Sequence, residues 1–297
     1  MKNFYLHVGL PRCASTLIEN IFLYPEHQGY STLRNSGILP LPRVYKEFRR
    51  AYAKPVWTDE LYARIRDYHI GPMLHHDAQG FFTSDEGLTG IHDRPNEPLP
   101  YADRAPFLNR LLEGLQPRII LLVRNQAQYV VSMYGLHLQN GGQMEFDDYV
   151  AAFPYAHLDW LKVADAYATA FGLDAVSVFP FEKDTYSGLD SSEPANFLEA
   201  IQRTMAIAQP IRLEDQLLVN PSLVPKYHQA QLTINRGADA TTVDIPKTEA
   251  AYHNATRETP LTPHQVNAIL ARYSDSNREL FARFMPGFDS TIYQPAS

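Results

Sequence analysis

Cysteine occurs once in the 297 residues, at Cys13, which excludes an internal disulfide and a Cys-rich metal centre. Cationic residues are in deficit: 26 Lys and Arg stand against 33 Asp and Glu, a formal net charge of −7. A balance of that sign argues against general nucleic-acid binding. No stretch approaches the roughly 18 uninterrupted apolar residues of a membrane span. The first apolar run is short and carries His7, so it reads as an opening strand rather than a signal peptide. Internal repeats and low-complexity segments are lacking too. These absences point to a cytoplasmic globular protein. Its apolar content of 45% is ordinary, and its length suffices for one large α/β domain or two small ones.

What the chain does have is concentrated near its start. Phe4–Val8 reads as a strand, Gly9–Thr16 as a tight loop and Leu17–Phe22 as a helix. Gly9 turns the chain, Pro11 stiffens it, Arg12 brings a guanidinium, and Ser15 and Thr16 stand where the helix begins. A helix start offers unpaired N–H groups and the positive end of the dipole. The loop is therefore suited to a tetrahedral oxyanion, a phosphate or sulfate ester. An ATP or GTP loop needs G-x-x-x-x-G-K-[ST]; here Ala14 and Ser15 occupy its second Gly and its Lys positions. A tyrosine-phosphatase loop needs an Arg six positions after its Cys, and Glu19 stands there.

A second stretch has the same form. Arg118–Val123 is an apolar run of strand length ending in Arg124-Asn125. A helical pattern follows through Tyr129, Val130, Met133 and Tyr134 to a stop at Gly141-Gly142. With Asn3–Val8, Gly80–Ser84 and Ala175–Phe181 as further strand candidates, strands alternate with helical patterns, which argues for a parallel sheet with helices on both faces. Ligands of such sheets bind at the carboxyl ends of the strands. Both stretches, and Thr83–Glu86, fall at such ends.

The loop Pro11-Arg12-Cys13-Ala14-Ser15-Thr16 resembles the 5′-phosphosulfate loop of the sulfotransferases that use 3′-phosphoadenosine-5′-phosphosulfate, PAPS. Their pattern is Pro-[Lys/Arg]-x-[Gly/Ala]-[Ser/Thr]-[Ser/Thr], with Lys in most members where this chain has Arg12. Their second motif is Arg-Asn-Pro with a Ser eight residues after the Arg, often followed by x-Tyr. This chain has Arg124, Asn125, Ser132 and Tyr134, with Gln126 in place of the Pro. Pro at a first helical turn only preorganises φ, so its loss should not abolish binding.

The resemblance, to the bacterial type, implies one sulfotransferase domain over 1–297: an α/β three-layer sandwich with a central parallel sheet and a P-loop-like phosphosulfate loop. It implies PAPS as donor, 3′-phosphoadenosine 5′-phosphate (PAP) as product, no required metal, and a carbohydrate or small-molecule acceptor. Residues 11–16 would hold the 5′-phosphosulfate, Arg12 would stabilise the bridging oxygen, and Arg124 with Ser132 would take the 3′-phosphate. Ser84-Asp-Glu86 resembles the Ser-x-Glu segment of bacterial and glycan sulfotransferases, whose Glu is the base; cytosolic members use a His, which makes His92 the second candidate. Asp85 should alternate to the other face of an extended chain. Arg236-Gly237 echoes the Arg-Lys-Gly loop that closes over the 3′-phosphate in cytosolic members, and Phe181-Glu182 their structural Tyr-Glu. Two other classes stay open: a P-loop kinase of a small molecule, and a non-catalytic nucleotide-binding module.

Elsewhere the patterns are structural. Leu158, Leu161, Ala164, Ala168 and Phe171 predict a core-packed helix over Tyr155–Phe171 with Gly172 as stop. Phe197, Leu198, Ile201 and Met205 form another stripe. Thr262, Pro263 and Gln265 make a capping box opening a helix expected to reach Phe284, whose Tyr273–Arg283 part resembles the terminal helix of bacterial sulfotransferases. Segments 35–77, 87–106 and 209–243 read as irregular and border the acceptor side. The first holds the basic run Arg43, Lys46, Arg49, Arg50 and Lys54, read as a solvated face. His69, His75, His76 and Asp77 do not have the i,i+4 spacing of a helical metal site. Cys13, beside a helix N-terminus and Arg12, is placed for a lowered thiol pKa but reads as a small loop residue rather than a nucleophile.

Overall fold

The computed structural model describes residues 1–41, 58–88, 101–186, 189, 193–207, 223, 225–239 and 259–296. Five strands form one sheet: β1 Asn3–His7, β2 Ile38–Pro40, β3 Gly80–Ser84, β4 Gln116–Val123 and β5 Val176–Pro180. All neighbours run parallel, in the order β2-β3-β1-β4-β5. The three inner strands are buried along most of their length, polar ends included, as a sheet covered by helices on both faces requires. β3 is buried along its whole length, and so is β4 from Ile119 to Val123. β5, at an edge, alternates buried and half-buried residues. β2 escapes any periodicity argument because it has only three residues, and its Pro40 is tolerated because the strand lies at the other edge.

The strand order positions the site. The chain leaves β1 toward β2 and β3, then crosses back to β4 and continues outward to β5. Connections from β1 and β4 therefore depart in opposite directions, which opens a crevice at their carboxyl ends. Both anion-type stretches sit there. His7 at the end of β1 lies opposite Ser84 at the end of β3 and Ile120 of β4, so β1 and β3 end level while β4 runs on to Val123 beside β5.

Helices cover the sheet. α1 Ser15–Leu23 packs on β3, with Phe22 edge-on to Phe82 at 5.3 Å, and on α2 Gln28–Asn35. α3 Asp59–Ile65 and α4 Gly71–His75 flank a π turn over Arg66–Ile70 and lead into β3. α5 Tyr101–Leu111 precedes β4, and α6 Gln126–Gln139 and α7 Phe146–Ala152 follow it. α8 Trp160–Phe171 packs across β4 and β5 and against α5. α9 Phe197–Thr204, α10 His228–Asn235, α11 Pro263–Ala271 and α12 Ser274–Phe284 complete the layers. One contiguous apolar core runs from Phe4 to Tyr293.

Two predicted helices are split. Over 155–171 the chain makes a 3-10 turn, Tyr155–Leu158, and breaks at Asp159 (ψ 89°) before α8. The break swings Trp160 into the core, where its indole N–H meets the Arg124 carbonyl at 2.8 Å. The C-terminal pattern divides between α11 and α12, because Tyr273 leaves helical geometry, buries its ring and donates its hydroxyl to the Tyr155 carbonyl at 2.5 Å. The capping box forms as expected, with Gln265 N–H on Thr262 Oγ1 at 3.2 Å and Thr262 N–H on Gln265 Oε1 at 2.8 Å. The segments read as irregular hold β2, α3, α4, the start of α5 and α10 in their described parts. The basic run 43–54 lies outside the described residues.

Candidate functional site

The loop after β1 is built on two left-handed residues. Arg12 has φ 63° and Ala14 φ 60°, each costing an L-residue about 1–2 kcal/mol. Left-handed positions spaced in this way turn successive backbone N–H groups toward one concavity, a geometry that holds anions. Ala14 is the N-cap of α1 and offers no side-chain cap, and no acidic residue lies in the first turn. The first N–H groups of the helix are thus not met by a capping side chain. Pro11 and Cys13 are buried, and Thr16 is half-buried at the rim. Ser15 is buried and donates its hydroxyl to the Leu10 carbonyl at 3.1 Å. Gly9 is required by close approach: a Cβ there would lie 2.5 Å from His7 Cε1 and 2.7 Å from Ser15 Oγ.

His7 supports the loop from behind. Its Nδ1 lies 2.8 Å from Ser84 Oγ, and Ser84 Oγ lies 3.5 Å from Glu19 Oε1, which joins β1, β3 and α1. The ring is fully buried, its Nε2 has no hydrogen-bond partner among the described residues, and burial lowers its pKa to about 3. The imidazole is therefore neutral at any physiological pH. In the sequence His7 counted only as a polar interruption of a strand; its position two residues before the loop glycine was the signal available.

The two arginines meet. Arg12 donates from Nε to Ser132 Oγ at 3.2 Å, and Arg124 donates from Nη1 to the Arg12 carbonyl at 2.9 Å. Arg124 also lies over the Phe181 ring, 4.9 Å from its centroid, and its Nε is buried with no hydrogen-bond partner among the described residues. Burial lowers the pKa of Arg12, the nearby Arg124 lowers it further, and Glu86 pulls the other way. Glu86 opens the 3-10 turn Glu86–Leu88 directly after β3 and is half-buried, whereas Asp85 beside it is buried and donates its backbone N–H to the His7 carbonyl at 3.0 Å. Arg12, Arg124, Ser132 and Glu86 therefore converge at the carboxyl ends of β1, β3 and β4.

Three expectations fare differently. The Cys13 thiol is not lowered but pushed well up, because complete burial outweighs Arg124 and Arg12. Arg236 is not brought to the loop. It pairs with Glu145 and donates to the Gln143 carbonyl at 2.9 Å, past the far end of α6, whose 14 residues span about 20 Å. His92 lies outside the described residues.

Behind Arg124 lies a polar layer that local patterns missed. Asn125 caps α6, its Oδ1 accepting from Gln128 N–H at 3.0 Å, and its own backbone N–H donates to Glu182 Oε1 at 2.7 Å. Gln126, in the position where the resembled motif has Pro, is fully buried and exchanges side-chain hydrogen bonds with Asn277 of α12 at 2.7 and 3.2 Å. Glu182 is buried. That burial raises its pKa, against the opposing pull of the Tyr293 hydroxyl, Arg124 and the Asn125 N–H.

Among the described residues no helix is long and apolar enough to cross a membrane, and no group of three His, Cys, Asp or Glu side chains could hold a metal ion. No protein-family model matches the chain, and no curated protein matches its sequence. Among solved structures it is similar to a sulfotransferase from Alicyclobacillus acidocaldarius, over 100% of this chain and 97% of that one, with a TM-score of 0.47 and 12% identity.

Proposed function

We propose that this chain is a PAPS-dependent sulfotransferase that moves a sulfuryl group to a hydroxyl or amine of a glycan or small-molecule acceptor by in-line displacement, leaving PAP. The observation that carries the reading is the convergence of Arg12 and Arg124 with Ser132 over the uncapped N-terminus of α1. Two guanidiniums held together repel each other, and a ligand with two anionic groups relieves that repulsion. The orphaned Arg124 Nε is a donor suited to a phosphate oxygen.

In this reading the 11–16 loop and the helix start hold the 5′-phosphosulfate, while Arg124 and Ser132 take the 3′-phosphate. Arg12 faces the bridging oxygen and stabilises the charge that builds there as the S–O bond breaks. Glu86 accepts the acceptor's proton as the new bond to sulfur forms. Ser15 stands where a kinase loop carries its Lys, and that missing Lys counts against phosphoryl transfer; the Ser15 hydroxyl instead holds the Leu10 carbonyl. The 1–297 chain is read as one domain around the single core.

The test is transfer of radiolabelled sulfur from PAPS to a panel of oligosaccharide, phenol and amine acceptors by wild type and Glu86→Gln. The wild type should label at least one acceptor, and Glu86→Gln should lose about 10²–10⁴ in rate with PAP binding intact. Near-wild-type turnover in the variant would move the base to His92. Magnesium-dependent ATP turnover, or bound PAP with no transfer to any acceptor, would defeat the reading.

A further inference from the structure

Arg124 is anchored by residues that neither anion motif contains. The Glu182 carboxylate follows β5 and is buried beneath the Arg124-Asn125 turn, with Oε1 on the Asn125 N–H at 2.7 Å. Its Oε2 accepts from the Tyr293 hydroxyl, which also lies 3.2 Å from the Val123 carbonyl. Tyr293 ends a 3-10 turn, Thr291–Tyr293, and is fully buried. The same turn takes the Asn125 side-chain amide on the Ile292 carbonyl, and the Asn277 amide on the Tyr293 carbonyl at 2.8 Å. Asn277 in turn holds Gln126. Both residues that follow Arg124 are thus tied to the C-terminal segment.

We propose that Tyr293 and Glu182 are positioning residues for the second phosphate: the hydroxyl fixes the buried carboxylate as a standing counter-charge behind Arg124, and the C-terminal turn thereby sets selectivity for nucleotides phosphorylated at the 3′ position. The inference rests on the reading of Arg124 as the 3′-phosphate ligand.

The physical case is one of satisfaction. A buried carboxylate is tolerated only when hydrogen-bonded. Glu182 has a backbone N–H on one oxygen and a phenol O–H on the other. Without the phenol the carboxyl has two courses. It can take up a proton, and Arg124 then loses its counter-charge and the Asn125 turn its charge-assisted acceptor. Or it can swing onto the Arg124 guanidinium and compete with the incoming phosphate. Either course weakens the 3′ contact. The 5′ side is less affected: Arg124 also donates to the Arg12 carbonyl of the 9–16 loop, but the loop keeps its own holds through His7 on Ser84, the Ser15 hydroxyl on the Leu10 carbonyl and the close approach at Gly9.

The experiment is calorimetric titration of full-length wild type, Tyr293→Phe and Glu182→Gln with PAP and with adenosine 5′-phosphate. The wild type should prefer PAP. Tyr293→Phe should lose on the order of tenfold of that preference through weaker PAP binding, with affinity for adenosine 5′-phosphate unchanged. Glu182→Gln keeps the shape, removes the charge and turns one of the two acceptor oxygens into an N–H donor, so it decides the matter should Tyr293→Phe fail to fold; it should lower the preference at least as much. A purely structural role would weaken both nucleotides alike or neither, and either pattern overturns the proposal. A wild type without any preference for PAP removes the 3′-phosphate reading itself, and this inference with it.

Discussion

Replacing Arg12 by Ala separates transition-state stabilisation from ground-state binding. The side chain donates to Ser132 Oγ at 3.2 Å, and its partly desolvated charge stands against Arg124. Its removal leaves the backbone as it was, since Ala at φ 63° is strained as much as Arg. It also relieves Arg124 of a like charge. Thermal stability should therefore not fall, and Arg124, freed of its neighbour, should hold PAP nearly as before. The rate should drop by about 10²–10³, or about 2.7–4 kcal/mol, the usual cost of deleting a preorganised charge stabiliser. Arg12→Lys, the residue most of the resembled family carries, keeps the charge and should retain most of the activity. The assay is single-turnover transfer of labelled sulfur, with PAP affinity measured by calorimetry on the same preparations. Loss of PAP affinity with the single-turnover rate preserved would make Arg12 a ground-state binder and refute the reasoning.

Two further outcomes concern stability. His7 has a folded pKa of about 3 against an ordinary 6.5, so the unfolded chain binds the extra proton between these values and stability is lost as pH falls through that window. Between pH 7 and pH 5 this amounts to about 2 kcal/mol; in urea titrations His7→Asn should show an acid dependence shallower by that amount, and an unchanged slope would contradict a buried neutral ring. Ala14→Gly should raise stability by roughly 1 kcal/mol in the same assay, because Gly adopts the left-handed N-cap conformation without a Cβ clash; a loss would show that the loop is not strained there.

How much of this was legible in the chain follows from the range of the interactions. β1, its loop and α1, like β4, its turn and α6, are local strand-turn-helix units, so periodicity and turn residues drew attention to Arg12, Ser15 and Arg124, while Ser132 came from the resemblance to the second sulfotransferase motif. Glu86 was reachable through the Ser84-Asp-Glu86 resemblance, just past the fully buried β3. β2 was not, being three residues long. The breaks at Asp159 and Tyr273 were not, because each is set by a buried aromatic finding a distant carbonyl. The Glu182–Tyr293 contact joins residues 111 apart and the Tyr293–Val123 contact residues 170 apart, separations at which pattern carries no information. Cys13 was misjudged in its ionisation because the helix terminus and Arg12 are visible in sequence and complete burial is not. Arg236 was carried on a dipeptide echo, and packing of α10 against α6 instead gives it Glu145.

The central claim is that two anion sites, one built on the β1 loop and one on Arg124 with Ser132, face a single nucleotide. Calorimetry of the wild type and Arg124→Ala with PAP and adenosine 5′-phosphate tests it without an acceptor. The account expects the wild type to bind PAP at least tenfold more tightly, since a charge-assisted hydrogen bond contributes about 1.5–3 kcal/mol, and expects Arg124→Ala to abolish the difference by weakening PAP far more than adenosine 5′-phosphate. Equal affinity of the wild type for the two nucleotides would contradict it.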